Sequence, residues 1–553
     1  MRSLPFLAVS RLLALLCVFL PLFACSATGP SSQGGSEASN KAGATNGQAA
    51  SQGGTEVESP VPPGEYLSTD EGAVSAKEEK ASNSEPVVAG EAVPDGEIRI
   101  RPLAVEGPVY TGFQSFSAVS AFNKHPETRR FLGEDPEGVA LVQGLHPAAI
   151  RFPGGSFAAK FNPQDEKGER ITKAYLELVR TSGVSDCILV LNLFKGTIGQ
   201  AEYLVRKLQA GGVQIVAVEL GNEYHLKKYR DKYPTADPYV AEAARYIDAL
   251  KPLLPGVPYG IPVPSSRHVF DAEQFGNRAE FFETWTNTLA DAVQSGRLPV
   301  QAVIPHFYKQ THEVYDLPTH ERRFDGVMDA LRIDSYGFLD RVVLNYYQEE
   351  FGDVAVWITE WGLKEKQVYG NTLAEGIHVT GFLLDMLEAN QRTGNRVAHS
   401  AYQKMAGPVC IGAITPKGTL QTMEAAENFQ PGTAWYAFHD LGEAITDAQY
   451  VRSEIRGPGQ DAVRMATFRR GESLYIVFAN RTGQSYRMDI AGRMTAVWGD
   501  KAWASNGQTF WNDTGNGRAK YLPAQRMADQ LGNVIPPYGY GYLKANWDAV
   551  MQR

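Results

Sequence analysis

The sequence predicts an α/β fold, a (β/α)8 TIM barrel with a C-terminal β-sandwich domain. Between residues 97 and 440, eight apolar runs alternate with amphipathic helical segments, and several runs are continuously apolar, as parallel strands covered on both faces are. From Leu441 onward, short strand-like runs follow one another through Gly and Asn turns with no helix between them. The alternative, an open doubly wound sheet, is disfavoured because no glycine-rich phosphate loop follows the first run.

The predicted barrel strands are the eight apolar runs, taken in chain order. They begin at Val109, Ala148, Cys187, Ile215, Val257, Ala302, Val354 and Arg396. One predicted helix carries its apolar residues at i, i+3, i+4 and i+7, namely Ala201, Leu204, Val205 and Leu208. Gly211 ends that helix, and Asp237 with Pro238 predicts the N-cap and first-turn proline of the next one.

Composition and charge limit the possible function classes. At 553 residues, with 43% hydrophobic residues, the chain has enough apolar material for two or three folded units. Its net charge of -9 argues against a nucleic-acid-binding protein, which needs a basic face. Four cysteines are too few for a disulfide scaffold.

Residues 1–25 have the character of an export signal. Arg2 and Arg11 supply positive charge, and an apolar segment too short to span a bilayer follows. The segment ends in Ala24 and Cys25, which resembles the lipobox of bacterial lipoproteins, in which the cysteine is lipidated. This resemblance implies an exported protein, lipid-anchored at Cys25 to the bacterial envelope, on the periplasmic side or the cell surface. The alternative is ordinary signal cleavage nearby.

The domain boundaries follow from changes in composition. Residues 26–96 are rich in Ser, Gly and Ala, have almost no large apolar side chains, and are predicted to be a disordered linker. Residues 97–440 form the predicted barrel and residues 441–553 the β-sandwich. The segment 97–108 is strand-like and is a candidate further strand of the sandwich.

Two glutamates occupy equivalent places in the predicted barrel. Glu223 ends the fourth strand, and Glu360 ends the seventh. In a (β/α)8 barrel the C-terminal ends of all strands meet at one mouth, so the two carboxylates are expected to face each other there. Paired carboxylates are what glycoside cleavage requires, one protonated and the other charged.

These residues and their neighbours resemble the clan A retaining glycoside hydrolases, particularly the arabinofuranosidase, xylosidase and heparanase-like branches. The resemblance extends over residues 97–553. It implies that Glu223 is the general acid/base and Glu360 the nucleophile. Arg151, in "RFPGG", matches the arginine near the clan's nucleophile, where a cation favours the charged carboxylate. Tyr308 matches the tyrosine that hydrogen-bonds the nucleophile.

Further sugar contacts are implied by the same resemblance. Asn222 matches the residue that binds the sugar 2-hydroxyl, and Asn192 on the third strand is a candidate contact. Trp361 is either a stacking platform for a sugar or a buried aromatic at the barrel rim. His306 either lines the sugar site or is a core histidine.

The end of the eighth strand departs from the clan pattern. Many members carry a tryptophan there, whereas "AHSAYQKMAG" has none. His399, Tyr402 and Gln403 are candidate replacements that the sequence does not rank.

Other chemistries lack support in the sequence. It contains no H-E-x-x-H, Cys-x-x-Cys or G-x-S-x-G motif. No metal or organic cofactor is expected, because two positioned carboxylates suffice for the chemistry. Cys187 and Cys410 are predicted at opposite ends of the barrel and therefore unpaired. The sequence thus predicts a retaining glycosidase acting on a carbohydrate; the alternative is a non-catalytic carbohydrate-binding lipoprotein that uses the barrel as a scaffold.

A further expectation concerns the charge of the substrate. Basic residues crowd the loops after the fourth and fifth strands: Lys227, Lys228, Arg230, Lys232, Arg267 and His268. If these loops overhang the site, their cations are suited to carboxylated or sulfated sugars. A solvated, charged loop is the alternative.

Overall fold

The computed structural model describes most of the chain after residue 95. The described residues are 96–118, 131–264, 277–309, 339, 344–363, 373–406, 412–416, 429–459, 462–490, 498–504, 525–527 and 534–548. The predicted leader with Cys25, the linker up to residue 95, Arg267, His268 and Cys410 lie outside this part. Within it, no helix is both long and apolar enough to cross a membrane.

Eight parallel strands close into a barrel. After β1 (Gly96–Pro108), the barrel strands are β2 (Gln114–Ser117), β3 (Ala149–Phe152), β4 (Asp186–Val190), β5 (Gln214–Glu219), β6 (Tyr259–Pro262), β7 (Ala302–Ile304), β9 (Ala355–Leu363) and β10 (Val397–Tyr402), with the short β8 (Phe307–Lys309) beside β9. Each strand pairs in parallel with the next, and β10 pairs with both β9 and β2, which closes the ring. This confirms the predicted barrel.

Helices alternate with the barrel strands. They are α1 (Pro136–Gly144), α2 (Glu166–Ser182), α3 (Ile198–Ala210), α4 (Ala236–Leu250), α5 (Asn277–Gln294), α6 (Tyr347–Phe351), α7 (Leu373–Thr393) and α8 (Thr433–Ile445). Single 3₁₀ turns cover Leu132–Glu134, Ser156–Lys160 and Lys227–Tyr229. The predicted domain boundary at residue 440 falls inside α8. This helix packs on α7 and completes the outer ring of barrel helices.

Local sequence explains where several helices begin and end. Thr197 and Gln200 form a capping box at the start of α3, and the predicted apolar face of that helix is buried. The predicted start of α4 is wrong by two residues. Its N-cap is Thr235, so Asp237 lies in the first turn, where its negative charge faces the positive end of the helix dipole.

The second layer is a nine-stranded, mainly antiparallel sheet. It contains β1, β13 (Gln449–Arg456), β14 (Val463–Arg470), β15 (Ser473–Asn480), β16 (Tyr486–Ile490), β17 (Trp498–Ala504), β18 (Gln525–Met527), β19 (Val534–Ile535) and β20 (Tyr540–Asn546), whereas β11 (Ile414–Pro416) and β12 (Phe429–Pro431) form a separate pair. β1 pairs with β13 and β16, so the segment 97–108 belongs to this sheet.

The sheet domain has its own core and a second face against the barrel helices. Apolar side chains from β1, β13, β14, β15, β16, β19 and β20 form one cluster, as expected for a sandwich. The opposite face packs on α7 and α8. There the buried Arg464 forms ion pairs with Asp385, which is also buried, and with the partly exposed Glu388 of α7.

The barrel interior determines which side chains reach its mouth. In the layer nearer the N-terminal ends of the strands, the small residues Ala149, Ala217 and Ala302 surround the large side chain of Trp357. Because side chains alternate along a strand, residues two positions further on β3 and β5 point into the same interior. These residues are Arg151 and Glu219.

A β-bulge changes this alternation in β9. Ser400 pairs with Ile358 and Tyr402 with Trp361, so β9 carries one extra residue between these two pairs. The bulge turns Glu360 into the barrel and Trp361 outward.

Candidate active site

A buried ion pair forms the floor of the barrel mouth. Arg151 Nε and Nη2 donate to the two carboxylate oxygens of Glu219, at 2.9 and 2.7 Å. Both side chains are 0% exposed. Burial lowers the pKa of Arg151, but the charges of Glu219 and Glu360 raise it by more than burial lowers it. The guanidinium therefore remains charged. The sequence interpretation missed Glu219, although the alternation of side chains along its strand predicts that it faces the barrel interior.

Arg151 also holds two of the predicted site residues. Its Nη2 donates to Asn222 Oδ1 at 2.9 Å, and its Nη1 donates to Glu360 Oε2 at 3.2 Å. On the other side of Glu360, the Tyr308 hydroxyl donates to Oε1 at 2.5 Å. Glu360 therefore has one charged and one neutral hydrogen-bond donor, and 14% of its side chain remains exposed.

The second glutamate has a different set of partners. Glu223 Oε1 lies 3.1 Å from Nδ1 of His306, and Asn222 Nδ2 donates weakly to Glu223 Oε2 at 3.5 Å. Its side chain is 25% exposed. The structure thus brings Glu223, Glu360, Arg151, Asn222, His306 and Tyr308 together at one end of the barrel.

A single imidazole nitrogen lies between the two carboxylates. His306 Nδ1 is 3.1 Å from Glu223 Oε1 and 3.9 Å from Glu360 Oε2. These two oxygens are therefore within about 7 Å of each other. Retaining glycosidases separate their carboxyl groups by about 5 Å and inverting ones by roughly 6.5 to 9.5 Å, so the arrangement fits retention and only the lower end of the inverting range.

The charges of Glu223 and His306 depend on each other. Burial raises the pKa of Glu223, but the hydrogen bond from His306 and the charges of His306, His225 and Lys228 lower it to about 2. Burial lowers the pKa of His306, whereas the charges of Glu360 and Glu223 and the hydrogen bond to Glu223 raise it above its usual value. The pair therefore holds one proton, which resides on His306 in the free protein.

The backbone before Glu223 is held in an unusual conformation. Glu223 has φ of 50° and Gly221 has φ of 98°, both in the left-handed half of conformational space. A Cβ at Gly221 would lie 2.0 Å from the ring of Tyr224, so only glycine fits. Tyr224 is itself fixed, since its hydroxyl accepts a hydrogen bond from the Leu193 N–H. Strained backbone of this kind is often found where a side chain must be aimed at a ligand.

Two predicted sugar contacts have other partners. Trp361 is fully buried outside the barrel wall, where its indole donates to Ser400 Oγ at 2.9 Å and its ring packs on Phe382 and Tyr402. It is a core aromatic and presents no stacking platform, because the bulge turns it away from the mouth. Asn192 caps its own turn, donating to Phe161 O and accepting from Lys195 N–H.

The structure distinguishes the three candidates at the end of the eighth strand. His399 packs edge-on against Trp357, nearer the N-terminal ends of the strands. Tyr402 is buried, and its hydroxyl donates a hydrogen bond to Glu375. Gln403 follows β10 at the mouth, and its backbone N–H donates to Trp361 O. Its Oε1 accepts no hydrogen bond from the described residues. Of the three, Gln403 is therefore the one that lies at the mouth, with a buried side-chain oxygen.

The basic loop after β5 is only partly available to a ligand. Lys232 donates to the carbonyl oxygens of Leu193 and Phe194, and the Arg230 guanidinium lies 4.0 Å above the ring of Phe281. Lys227 and Lys228 are exposed. The expected cluster of cations is thereby reduced to these two lysines in the described part of the loop.

Possible metal ligands occur elsewhere in the molecule. Among the described residues, His439, Asp440 and Glu443 of α8 place ligand atoms within 4.8 Å of one another. His439 Nδ1 lies 2.8 Å from the carbonyl of Gly144, the last residue of α1. The C-terminal end of α1 leads into the N-terminal end of β3. The group therefore lies at the opposite end of the barrel from the carboxylates. Cys187 is a buried, free thiol in β4.

Comparisons with known proteins identify structures of the same fold. No protein-family model matches the sequence, and no curated protein matches it significantly. A GH51 arabinofuranosidase from Xanthomonas axonopodis pv. citri is 15% identical, with a TM-score of 0.56 over 81% of this chain and 99% of that chain. A family 51 alpha-L-arabinofuranosidase from Bifidobacterium longum is 14% identical, with a TM-score of 0.58 over 83% and 100%.

A third structure extends this similarity. A GH86 protein in complex with neoagarooctaose is 9% identical, with a TM-score of 0.52 over 82% of this chain and 78% of that chain. At such identities the likeness establishes the fold: a closed parallel barrel with a separate antiparallel sheet domain.

Proposed function

We propose that the protein is a retaining glycoside hydrolase that cleaves O-glycosidic bonds of an oligo- or polysaccharide. One observation carries the proposal: two glutamates approach the same His306 nitrogen from different sides but have otherwise separate partners. Glu360 is held by Arg151 and Tyr308, and Glu223 by His306. Unequal environments for two facing carboxylates are what a division between nucleophile and acid/base requires.

In the first step, Glu360 attacks the anomeric carbon of the sugar. A C–O bond forms between the carboxylate and that carbon, and the glycosidic C–O bond breaks. The leaving oxygen takes a proton from Glu223, which receives it from His306 as the bond breaks. The cationic Arg151 donates to Oε2 of Glu360 and holds this carboxylate in place for the attack. Asn222, oriented by Arg151, is suited to bind the sugar 2-hydroxyl as charge develops.

In the second step, water hydrolyses the glycosyl ester on Glu360. Glu223, now charged, removes a proton from the water as the oxygen attacks the anomeric carbon, and the Glu360 carboxylate leaves. Two displacements at one carbon restore the starting configuration. Gln403, at the end of the eighth strand, is a further candidate for a hydroxyl contact.

The structures of similar fold support the proposal only in that they share the barrel and the sheet domain. Two of them are arabinofuranosidases and one holds a bound oligosaccharide. Because one fold can serve many activities, the proposal rests on the carboxylate pair rather than on the barrel.

The configuration of the first-formed product tests the proposal. Purified protein lacking residues 1–95 is screened against aryl glycosides and polysaccharides, and proton NMR follows the product of the best substrate. We expect the product to keep the anomeric configuration of the substrate before mutarotation. Inversion would remove the nucleophile role from Glu360. Glycan binding without turnover would instead support a carbohydrate-binding protein.

Replacing His306 with Asn is expected to shift the pH profile of kcat/KM. In the wild type the shared proton is lost only as pH rises through the raised pKa of His306, so the alkaline limb should lie above the ordinary histidine value. Without His306, Glu223 must carry the proton alone. Its pKa rises from about 2 but remains that of a carboxyl group, so the alkaline limb should move to lower pH.

A distant histidine provides the control for this shift. His439→Asn alters a histidine at the other end of the barrel and should leave both limbs in place. An alkaline limb that stays where it is in His306→Asn, or moves to higher pH, would contradict the shared proton.

We also propose, from the sequence, that the mature protein is exported and lipid-anchored through Cys25. The apolar leader ending in Ala24 and Cys25, followed by a polar tract, motivates this proposal. Cys25→Ser should move the protein into the soluble fraction or leave its precursor unprocessed. A fatty-acid analogue that labels neither the wild type nor the variant would exclude the anchor.

A further inference from the structure

One cation at the mouth of the barrel has no acidic partner among the residues that the structure describes. Lys228 lies in the 3₁₀ turn after Glu223, and its Nζ is 2.7 Å from the hydroxyl of Ser156, which follows β3. Two other basic residues, Lys232 and Arg245, are neutralised because both pair with Glu242. No carboxylate of the described residues lies within ion-pairing distance of Lys228.

Lys228 faces the candidate active site. Its positive charge is among those that lower the pKa of Glu223, after the stronger effects of burial and of His306. The turn is anchored by Tyr229, which is buried and packs edge-on against Tyr224 and Phe194. The Lys228 ammonium lies 5.0 Å from the centroid of the Tyr229 ring.

The hydroxyl of Tyr229 belongs to the same corner of the mouth. Burial raises the pKa of Tyr229 to about 12, with smaller contributions from the charges of Glu223 and Glu360, while a hydrogen bond with Ser156 opposes them. The two hydroxyls and the ammonium therefore converge where the loops after β3 and β5 meet. An ammonium and two hydroxyls supply hydrogen-bond donors suited to an anion.

We infer that Lys228, Ser156 and Tyr229 form a subsite for an anionic substituent, a carboxylate or a sulfate ester, on a sugar bound at the barrel mouth. The inference rests on the proposed glycosidase function and names its substrate class. The chain as a whole is acidic, with a net charge of -9, so it does not attract anions through its overall field. Selection of an acidic sugar has to come from a local cation such as Lys228.

Binding to the full-length inactive variant Glu360→Gln tests the inference. Titration calorimetry compares neutral, uronate-containing and sulfated oligosaccharides, at low and at high salt. We expect at least one charged class to bind more tightly than its neutral counterpart, with an affinity that falls as salt rises. Preference for uronates identifies the carboxylate as the anion, and preference for sulfated sugars identifies the sulfate ester.

Two substitutions in the Glu360→Gln background locate the effect. Lys228→Met should weaken binding of the preferred charged glycan about tenfold or more, the loss expected for a hydrogen bond to a charged group, and leave neutral glycans unaffected. Lys227→Met removes an adjacent exposed lysine and is the matched control, for which no change is expected.

The possible failures are distinguishable. Binding of neutral glycans only, with no effect of salt, would overturn the anionic subsite and leave the glycosidase proposal intact. Equal losses in Lys227→Met and Lys228→Met would also overturn it, because the effect would then come from general surface charge. Absence of binding to every glycan class would overturn both proposals.

Discussion

Replacing Glu360 with Ala is expected to abolish turnover of every substrate, lowering kcat by about 10⁴-fold or more. No other described carboxylate is held by both Arg151 and Tyr308, so no group can replace Glu360 as the nucleophile. The loss should not depend on the leaving group, because the covalent intermediate cannot form. Steady-state rates on activated and unactivated aryl glycosides measure this.

The fold should survive this substitution. Arg151 keeps its bidentate pair with Glu219 and its bond to Asn222, so its buried charge is not left alone. Thermal unfolding should therefore stay close to that of the wild type. Glu472→Ala, which removes an exposed glutamate from a turn of the sheet domain, is the control for losing one negative charge. A Glu360→Ala protein that is folded and active would exclude Glu360 as the nucleophile.

Azide gives this variant a second readout. The small anion is expected to enter the space vacated by the carboxylate and attack the anomeric carbon directly. A single displacement produces a glycosyl azide of inverted configuration. A product of retained configuration would mean that a different group of the protein still forms the intermediate.

Much of this site could be predicted from the chain because barrel topology is regular. Counting apolar runs assigned Glu223 and Glu360 to the fourth and seventh strands, and strand ends in a closed barrel converge whatever the sequence between them. Arg151 could be found in the same way. Its contact with Glu360 depends only on both residues pointing inward near the C-terminal ends of their strands.

Glu219 was missed because it was taken as part of an apolar strand. Its fully buried carboxylate is the partner that holds Arg151 in place. The alternation was available in the sequence: Ala217 and Glu219 share a face, and a charge on an inward face requires an opposite charge nearby. Arg151, which points inward from β3 on the far side of β4, is that charge.

Trp361 shows what alternation alone does not predict. Inward-facing Trp357 predicts that Trp361 also faces inward and Glu360 outward, which is the reverse of the structure. The extra residue of the β9 bulge reverses the orientations of Glu360 and Trp361. A bulge depends on pairing with the neighbouring strand, so the sequence of β9 by itself does not reveal it. The partners of Lys232 and Arg230 likewise depend on tertiary contacts.

Replacing Glu223 with Ala is expected to lower activity on substrates with poor leaving groups by about 10²- to 10⁴-fold, the usual contribution of a general acid. Aryl glycosides with strongly acidic phenols need little protonation, so glycosylation of Glu360 should remain fast on them. Hydrolysis of the intermediate should then become slow, because no group removes the proton from water. A burst of phenol followed by slow turnover is the expected time course.

Azide should restore turnover of the Glu223→Ala variant on those activated substrates, because this nucleophile needs no general base. It attacks the glycosyl ester on Glu360, the second displacement at the same carbon, so the glycosyl azide should keep the configuration of the substrate. The variant also tests the pairing with His306: without Glu223 the imidazole loses the partner at 3.1 Å that helps to raise its pKa. Titration of His306 by NMR should therefore move to lower pH. If azide neither speeds Glu223→Ala nor yields a retained product, Glu223 is not the acid/base, even where the variant is inactive.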